Sequence, residues 1–574
     1  MGTASQTTTV VGAAVAVGAA VAIAKSVGGP AAAPAEVSAA EASRFLTQAT
    51  FGPTMATITE VQNLGFSAWL DQQMAMAPFS MLADCRQRLA TQKPYSTNAS
   101  GAFVESFWTG AFKRPDQLRQ RMQFALSQIF VVSRTNERIE SEAPLAMVNY
   151  YDLLGVGAFK TWRELIEVIT LNPMTGIFLS YVKNDKEDPA SGRTPDENYA
   201  REIMQLFSIG TIMLNPDGTP QLDAAGKTIP TYSHDDIAGL AKVFTGISWY
   251  APGGPNESAW LSSAYGYFDQ AGDKGNPVQM MYYPKHHSLS AKMFLGVTIP
   301  ATTTANPAGE VKIALDTLFN HQNTAPYFAK RLIQQFVTSN PTPAYVGRVA
   351  ATFANNGQGV RGDLAAVLKA VLLDPEARDT AAAQANPNFG KLREPIMRVT
   401  AWGRAFNVRS KNTHFSIVNT GGAEVLSQEV MAAPSVFNFW RAGYVPPHTR
   451  LGGQQLVAPE FQVVSELTTA AYANMMVNAV KSGVGTNLIS YSGPDVLSDY
   501  TDEIALAGTP EALLDRLNLL LFYGQMPTAL RSQILTVVNG IKIPTTGSTT
   551  TALTNRAKLA ITLCLVSGDF VTQR

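Results

Sequence analysis

Apolar side chains return every third or fourth residue along much of this chain, and that spacing commits most of it to helices. Leu118, Met122, Ala125, Leu126, Ile129 and Phe130 form one series. Phe328, Leu332, Ile333 and Phe336 form a second; Leu364, Val367, Leu368, Val371 and Leu372 form a third. Residues three and four apart share one face of a helix, so each series predicts an amphipathic helix laid against a core. Pro115-Asp116 suits the start of the first, and a last helix is predicted over 556–566. Strand signals are few. Residues 210–231 alternate briefly around Asn215-Pro216-Asp217-Gly218, a turn signal that predicts a small hairpin. Residues 248–277, 299–309 and 541–551 are rich in Gly, Pro, Thr and Asn and read as loops. No segment repeats with a period of about 20–50 residues, which argues against a solenoid. The expected fold is mainly α: one large multi-helical unit over 39–574, with long loops and a small β-hairpin.

Composition narrows the partners and the compartment. The 44 Lys+Arg balance the 44 Asp+Glu in 574 residues. Without a basic excess there is no electrostatic case for nucleic acid or for an anionic membrane surface. Charged residues make up 15%, below the usual ~25%, so Thr, Ser, Asn, Gln and Gly must cover the surface, as in many exported proteins. Residues 10–24 are an unbroken run of Val, Ala, Gly and Ile closed by Lys25, and Gly, Pro and Ala fill 28–35. That is too short and too weakly apolar for a membrane span, which wants about 20 residues, and it fits a secretory signal with a Pro/Ala linker over 1–38. Residues 1–9 lack the usual Lys or Arg. The expected location is periplasmic or extracellular, with no stable span after removal of the signal. Two distant cysteines, Cys85 and Cys564, make neither a disulfide framework nor a CxxC site.

Several blocks carry a resemblance, in order along the chain. Arg44-Phe45-Leu46-Thr47-Gln48-Ala49-Thr50-Phe51-Gly52-Pro53 stands first. The continuous stretch from Asp196-Glu197-Asn198-Tyr199-Ala200-Arg201-Glu202 to Ile209-Gly210 is second. Later come 236–246, His287 with Lys292, Leu295 and Gly296, then Asn323-Thr324-Ala325-Pro326 and 358–363. Lys391-Leu392-Arg393-Glu394-Pro395 and Ala433-Pro434-Ser435-Val436-Phe437-Asn438-Phe439 complete the set. Over about 40–574 the chain resembles the bacterial family called domain of unknown function 1800. The resemblance implies an exported protein, often encoded beside a second family similar to sulfatases and alkaline phosphatases, and no established activity. One departure is that the family usually has an acidic residue after the histidine, where this chain has Ser288.

Chemistry has four candidate locations. On the helix opening at Thr194-Pro195, with Thr194 or Asp196 as cap, Glu197 and Arg201 are four apart and can pair. Asn198 and Glu202 are also four apart and could present an amide and a carboxylate to one point. That suits a divalent metal or a carboxylate held for acid/base work; the alternative is a buried charged network. His287, in a loop near Lys292, could be a ligand, a general base or an anion contact, or a histidine satisfied by backbone. Ser233-His234-Asp235-Asp236 reads as a helix cap. The acids of 184–188 with Asp196 lack EF-hand spacing and read as a solvated loop. Finally, Arg114, Arg119, Arg121, Arg331, Arg361, Arg393 and Arg398 could line a pocket for a sulfated, uronic or phosphorylated ligand, or pair with Glu105, Asp363 and Glu394. There is no GxSxG, HExxH, P-loop or GxGxxG before a strand.

These features together lead to the expectation of a hydrolase or lyase-type enzyme acting on a polyanionic or carbohydrate envelope component. Glu202, His287 and Arg201 would be catalytic; Asn198, Lys292, Arg361 and Arg393 would bind substrate. The alternative is a non-catalytic partner or scaffold for the co-encoded phosphatase/sulfatase-like protein.

Overall fold

In a computed structural model that describes residues 36–91, 98–142, 144–261, 279–411, 413–486 and 493–574, the periodic segments are helices. The three apolar series lie in Gln117–Ile129, Thr324–Phe336 and Leu364–Leu373, and the C-terminal one in Thr550–Leu565. The fold is mainly α, and the sheets among the described residues are two-stranded antiparallel pairs. Short polar side chains start many helices by satisfying their free N–H groups. Ser38 with Glu41, Thr161 with Glu164 and Ser233 with Asp236 each form a reciprocal capping box. The Ser233 cap is the one read from the sequence.

Gln117–Ile129 departs from the amphipathic expectation. Its polar face is buried as completely as its apolar one. Arg119 donates to the carbonyls of Gly155, Met74 and Met76 at 3.0, 3.1 and 2.9 Å. Gln123 donates to Tyr151 O at 2.8 Å. In a unit several helices deep, an inner helix has no solvent side, so its polar residues serve the carbonyls of its neighbours.

Residues 210–231 fold back on themselves through the single bridges Ile212↔Pro230, Leu214↔Pro220 and Leu222↔Thr228. The Gly218 N–H closes the expected turn on Asn215 O at 2.9 Å. A regular hairpin forms where the pattern did not announce one: Lys292–Phe294 pairs with Val297–Ile299. Its turn, Leu295-Gly296, has φ of +50° and +79°, values that usually select Asn-Gly or Asp-Gly. Asp236 accepts the Leu295 N–H at 2.7 Å and holds the leucine there.

Within residues 37–574, the N-terminal block meets the C-terminal half. Ser43 donates to Leu519 O at 2.6 Å, and Arg404 donates to Gly52 O at 2.6 Å. Gly52 has φ +131°, and a Cβ there would lie 2.8 Å from the Ala401 Cα, so the contact requires glycine. Residues 37–574 form one compact unit with a continuous apolar core reaching from Ala42 to Phe570. Both cysteines are buried and free. The loop readings hold in part. The first contains the helix Glu257–Leu261, the second ends at the helix starting at Pro307, and the third runs into the helix starting at Thr550. Residues 10–24 and 262–277 lie outside the described residues.

Candidate functional site

The hallmark helix is short and changes pitch. Asn198–Glu202 is α-helical and Ile203–Ser208 is a π-helix, a conformation that is rare and often found at functional sites. The N-cap position is Glu197, not Thr194 or Asp196, and has no side-chain cap; Asp196 instead accepts the Asn198 N–H at 2.8 Å from one residue earlier. Asn184 clamps Asp196, accepting its N–H at 2.8 Å and donating to its carbonyl at 3.1 Å. Arg201 is half exposed and pairs with Glu197 at 3.1 Å. The Asn198 amide donates to Ser180 Oγ at 3.3 Å rather than meeting Glu202.

Glu202 is 5% exposed, and its Oε2 has no hydrogen-bond partner among the described residues. Burial pushes its carboxyl above the ordinary value and outweighs the opposing pull of Arg201. Its charge reaches two phenols. Tyr232 is pushed up to about 12, by burial first and by Glu202 second. Tyr327 is also raised, chiefly by burial with a smaller part from Glu202.

His287 is fully buried, not exposed on a loop. Its Nδ1 faces Thr245 O at 2.9 Å and its Nε2 faces Glu310 Oε2 at 2.9 Å. Lys292, also fully buried, contacts the same Oε2 at 2.8 Å and donates to Ser288 O at 2.7 Å. Glu310 sits on the helix Pro307–Asn320, more than a dozen residues on in sequence, which is why neither spacing nor motif revealed it. Ser288, at the family's usual acidic position, donates to Glu187 Oε1 at 2.9 Å. No hydrogen bond or ion pair among the described residues joins this group to Glu202. Among the described residues, no three His, Cys, Asp or Glu side chains are grouped to hold a metal.

The arginines take a third course, neither an open pocket nor ion pairs with Glu105, Asp363 and Glu394. Arg361 donates to Phe319 O at 3.0 Å with its guanidinium over the Phe319 and Phe353 rings. Arg393 donates to Leu521 O at 3.3 Å and lies over Phe570. Arg398 donates to Arg393 O at 2.7 Å and lies over Tyr472. These guanidiniums hold carbonyls and cover rings. Glu394 accepts instead from the Gln128 and Gln428 amides at 2.7 and 2.6 Å.

Arg331 is different. It helps line a cleft of about 710 Å³, within the usual range for small-molecule sites of ~300–1,000 Å³. One wall is the π-helical turn with the residues just after it, contributing Gln205, Leu206 and Gly210. A second is one face of Thr324–Phe336, where Tyr327, Lys330, Arg331 and Gln334 are three, four and seven apart. The third is Val436, Phe437 and Trp440 through Val445. The Tyr327 hydroxyl bonds the carbonyls of Gln205 and Leu206, each at 3.1 Å, and ties the first wall to the second. Gly210, at φ +69°, allows this approach, since a Cβ there would sit 2.8 Å from the Tyr327 ring.

Among the described residues, no Asp, Glu or His lines the cleft. Its cations are Lys330, Arg331 and Arg441, the last with its guanidinium 4.6 Å from the Phe437 ring centroid. Lys330 and Arg331 make no ion pair among the described residues, and burial lowers the pKa of both. Arg331 Nε is buried without a partner among the described residues. Sequence reasoning reached Arg331 and the 433–439 block separately. It missed Lys330 and Tyr327, whose only signal was a cationic pair on the polar side of an otherwise ordinary helix, and it gave Gln205, inside the 196–210 block, no role.

Two of the segments that carried the resemblance, 196–210 and 433–439, contribute walls of this cleft. The model of the family described as Protein of unknown function (DUF1800) matches residues 44–572. No curated protein and no solved structure matches the chain. With nearly the whole compact unit inside that match, the chain belongs to the DUF1800 family.

Proposed function

We propose that this is an exported protein that binds a polyanionic or carbohydrate component of the bacterial envelope in the cleft between Tyr327, Gln205 and Trp440. The observation that carries the reading is the lining: three cations, amides and aromatic rings, with no acid among the described residues to neutralise the cations. Arginine and lysine seat anionic groups, and aromatic faces suit sugar rings or other flat apolar surfaces. In the enzymatic form of the reading, a hydrolase or lyase, Glu202 is the proton-transfer group. It stands just before the π-helical turn, and its raised pKa suits a general acid. Arg201 and Asn198 position the start of that helix. His287, Lys292, Arg361 and Arg393 hold the fold around it.

One observation favours the second reading, a non-catalytic partner or scaffold for a co-encoded phosphatase/sulfatase-like protein: among the described residues, the cleft lining itself carries no carboxylate or imidazole. A screen of anionic glycans and phosphoesters with wild type and Glu202→Gln separates the two. Turnover lost in the variant, with binding intact, supports the enzyme. Binding without turnover in either protein supports the partner role. Export rests on the apolar run at 10–24 and the small residues after it. N-terminal sequencing of protein collected outside the cytoplasm should then give a start near Ala33 to Ser38; an intact Met1 on cytoplasmic protein contradicts export.

A further inference from the structure

The charge behind the cleft says more about the ligand than the lining does. Lys391, buried, donates to Gln334 O at 2.8 Å and to Gln335 O at 3.0 Å. Arg121, also buried, donates to Gln335 O at 2.5 Å. Both cations therefore sit at the C-terminal end of the helix that carries Lys330 and Arg331. Arg393 and Arg398 lie in the same buried layer, which holds two carboxylates, Glu394 and Glu460. Four cations face two carboxylates there. Lys391 pairs with Glu460 at 2.9 Å, and burial pushes Glu460 up as it pushes Arg121, Arg393 and Arg398 down. Glu460 is also the carboxylate whose field reaches Arg331. With four cations to two carboxylates, the layer has no surplus acid to neutralise Lys330 and Arg331, and in a medium of low polarity their charge is poorly screened.

A single carboxylate on a ligand would answer one of two neighbouring cations and leave the other facing this excess. A phosphate monoester brings about −1.5 to −2 charges at neutral pH and three strong acceptor oxygens. The donors match that count. Lys330 and Arg331 are adjacent on one helix face, and the Tyr327 hydroxyl anchors the Gln205 carbonyl one turn before them. The Gln205 side-chain amide has no partner among the described residues. We propose that the cleft seats the phosphate group of a phosphorylated sugar, with Lys330 and Arg331 as its cationic donors and the Gln205 amide as a third. The proposal rests on the reading of the cleft as an anion site and names the anion.

Isothermal titration of the folded protein with inorganic phosphate, glucose 6-phosphate, sulfate and galacturonate tests it. Glucose 6-phosphate should bind at least tenfold more tightly than galacturonate. Its affinity should fall severalfold between pH 7.5 and 5.5, as the phosphate loses its second charge. Arg331→Gln and, independently, Lys330→Gln should each weaken phosphate and glucose 6-phosphate at least tenfold. The second variant keeps the test open if the first does not fold. Phosphomannan that competes with glucose 6-phosphate places the group on a polymer, and failure to compete places it on a small molecule; both keep the phosphate seat. Galacturonate binding as tightly as glucose 6-phosphate, and lost in the same variants, overturns the phosphate assignment while the anion cleft stands. Binding of none of the four anions, or binding untouched by both variants, overturns both.

Discussion

Glu202 keeps a carboxyl inside the protein without a partner for Oε2 among the described residues, and that has a consequence for stability as well as for chemistry. Its pKa is raised in the folded state above the ordinary 4.5. The folded chain then holds the proton more tightly than the unfolded chain, so stability falls as pH rises from the ordinary value through the raised one. Glu202→Gln has no proton to lose. It should flatten that part of the pH–stability curve and leave the variant at least as stable as wild type at neutral pH, read as Tm from pH 4 to 8. If Glu202 transfers a proton in catalysis, the same variant should lose at least ~3 kcal/mol of barrier lowering, about a hundredfold in rate. A large drop in Tm at neutral pH would instead make Glu202 a structural partner of Arg201. At this scale the sequence showed which residues were unusual but not their surroundings. His287 looked like a loop histidine because its partners, Thr245 and Glu310, are 42 and 23 residues away. Burial and long-range pairing leave no local trace.

The helices were legible because their apolar period is local, and the capping box at Ser233 was legible for the same reason. The polar face of Gln117–Ile129 was not, since only the surrounding helices decide whether a polar stripe meets water. The Lys292–Ile299 hairpin was missed because Leu295 occupies a positive-φ position that tertiary contact with Asp236 enforces. What fixes that segment to the rest is Glu310, which receives both His287 and Lys292. Removing one partner of a buried charged group leaves the others uncompensated. Glu310→Ala should cost about 3–5 kcal/mol in chemical denaturation, with Glu310→Gln costing less because it keeps the shape and part of the hydrogen bonding. A loss under 1 kcal/mol for the alanine variant would show that the group does not hold the segment.

Across the whole molecule, the N-terminal block closes on the C-terminal half at a point with no spare room. Gly52→Ala forces both a positive φ and a Cβ 2.8 Å from the Ala401 backbone. It should lower stability by about 2–4 kcal/mol through strain and displacement of the Arg404 contact, and a variant with unchanged Tm would contradict this docking. The claim on which the functional account turns is that Lys330 and Arg331 are there for an anion and not for the fold. The direct measurement is the affinity of a charged oligosaccharide for wild type and for the double variant Lys330→Gln/Arg331→Gln, over 50 to 300 mM salt. The account predicts tight binding by wild type that weakens steadily with salt, loss of at least a hundredfold in the variant, and unchanged Tm. Equal binding by both proteins, or a variant that loses its fold along with its ligand, would contradict it.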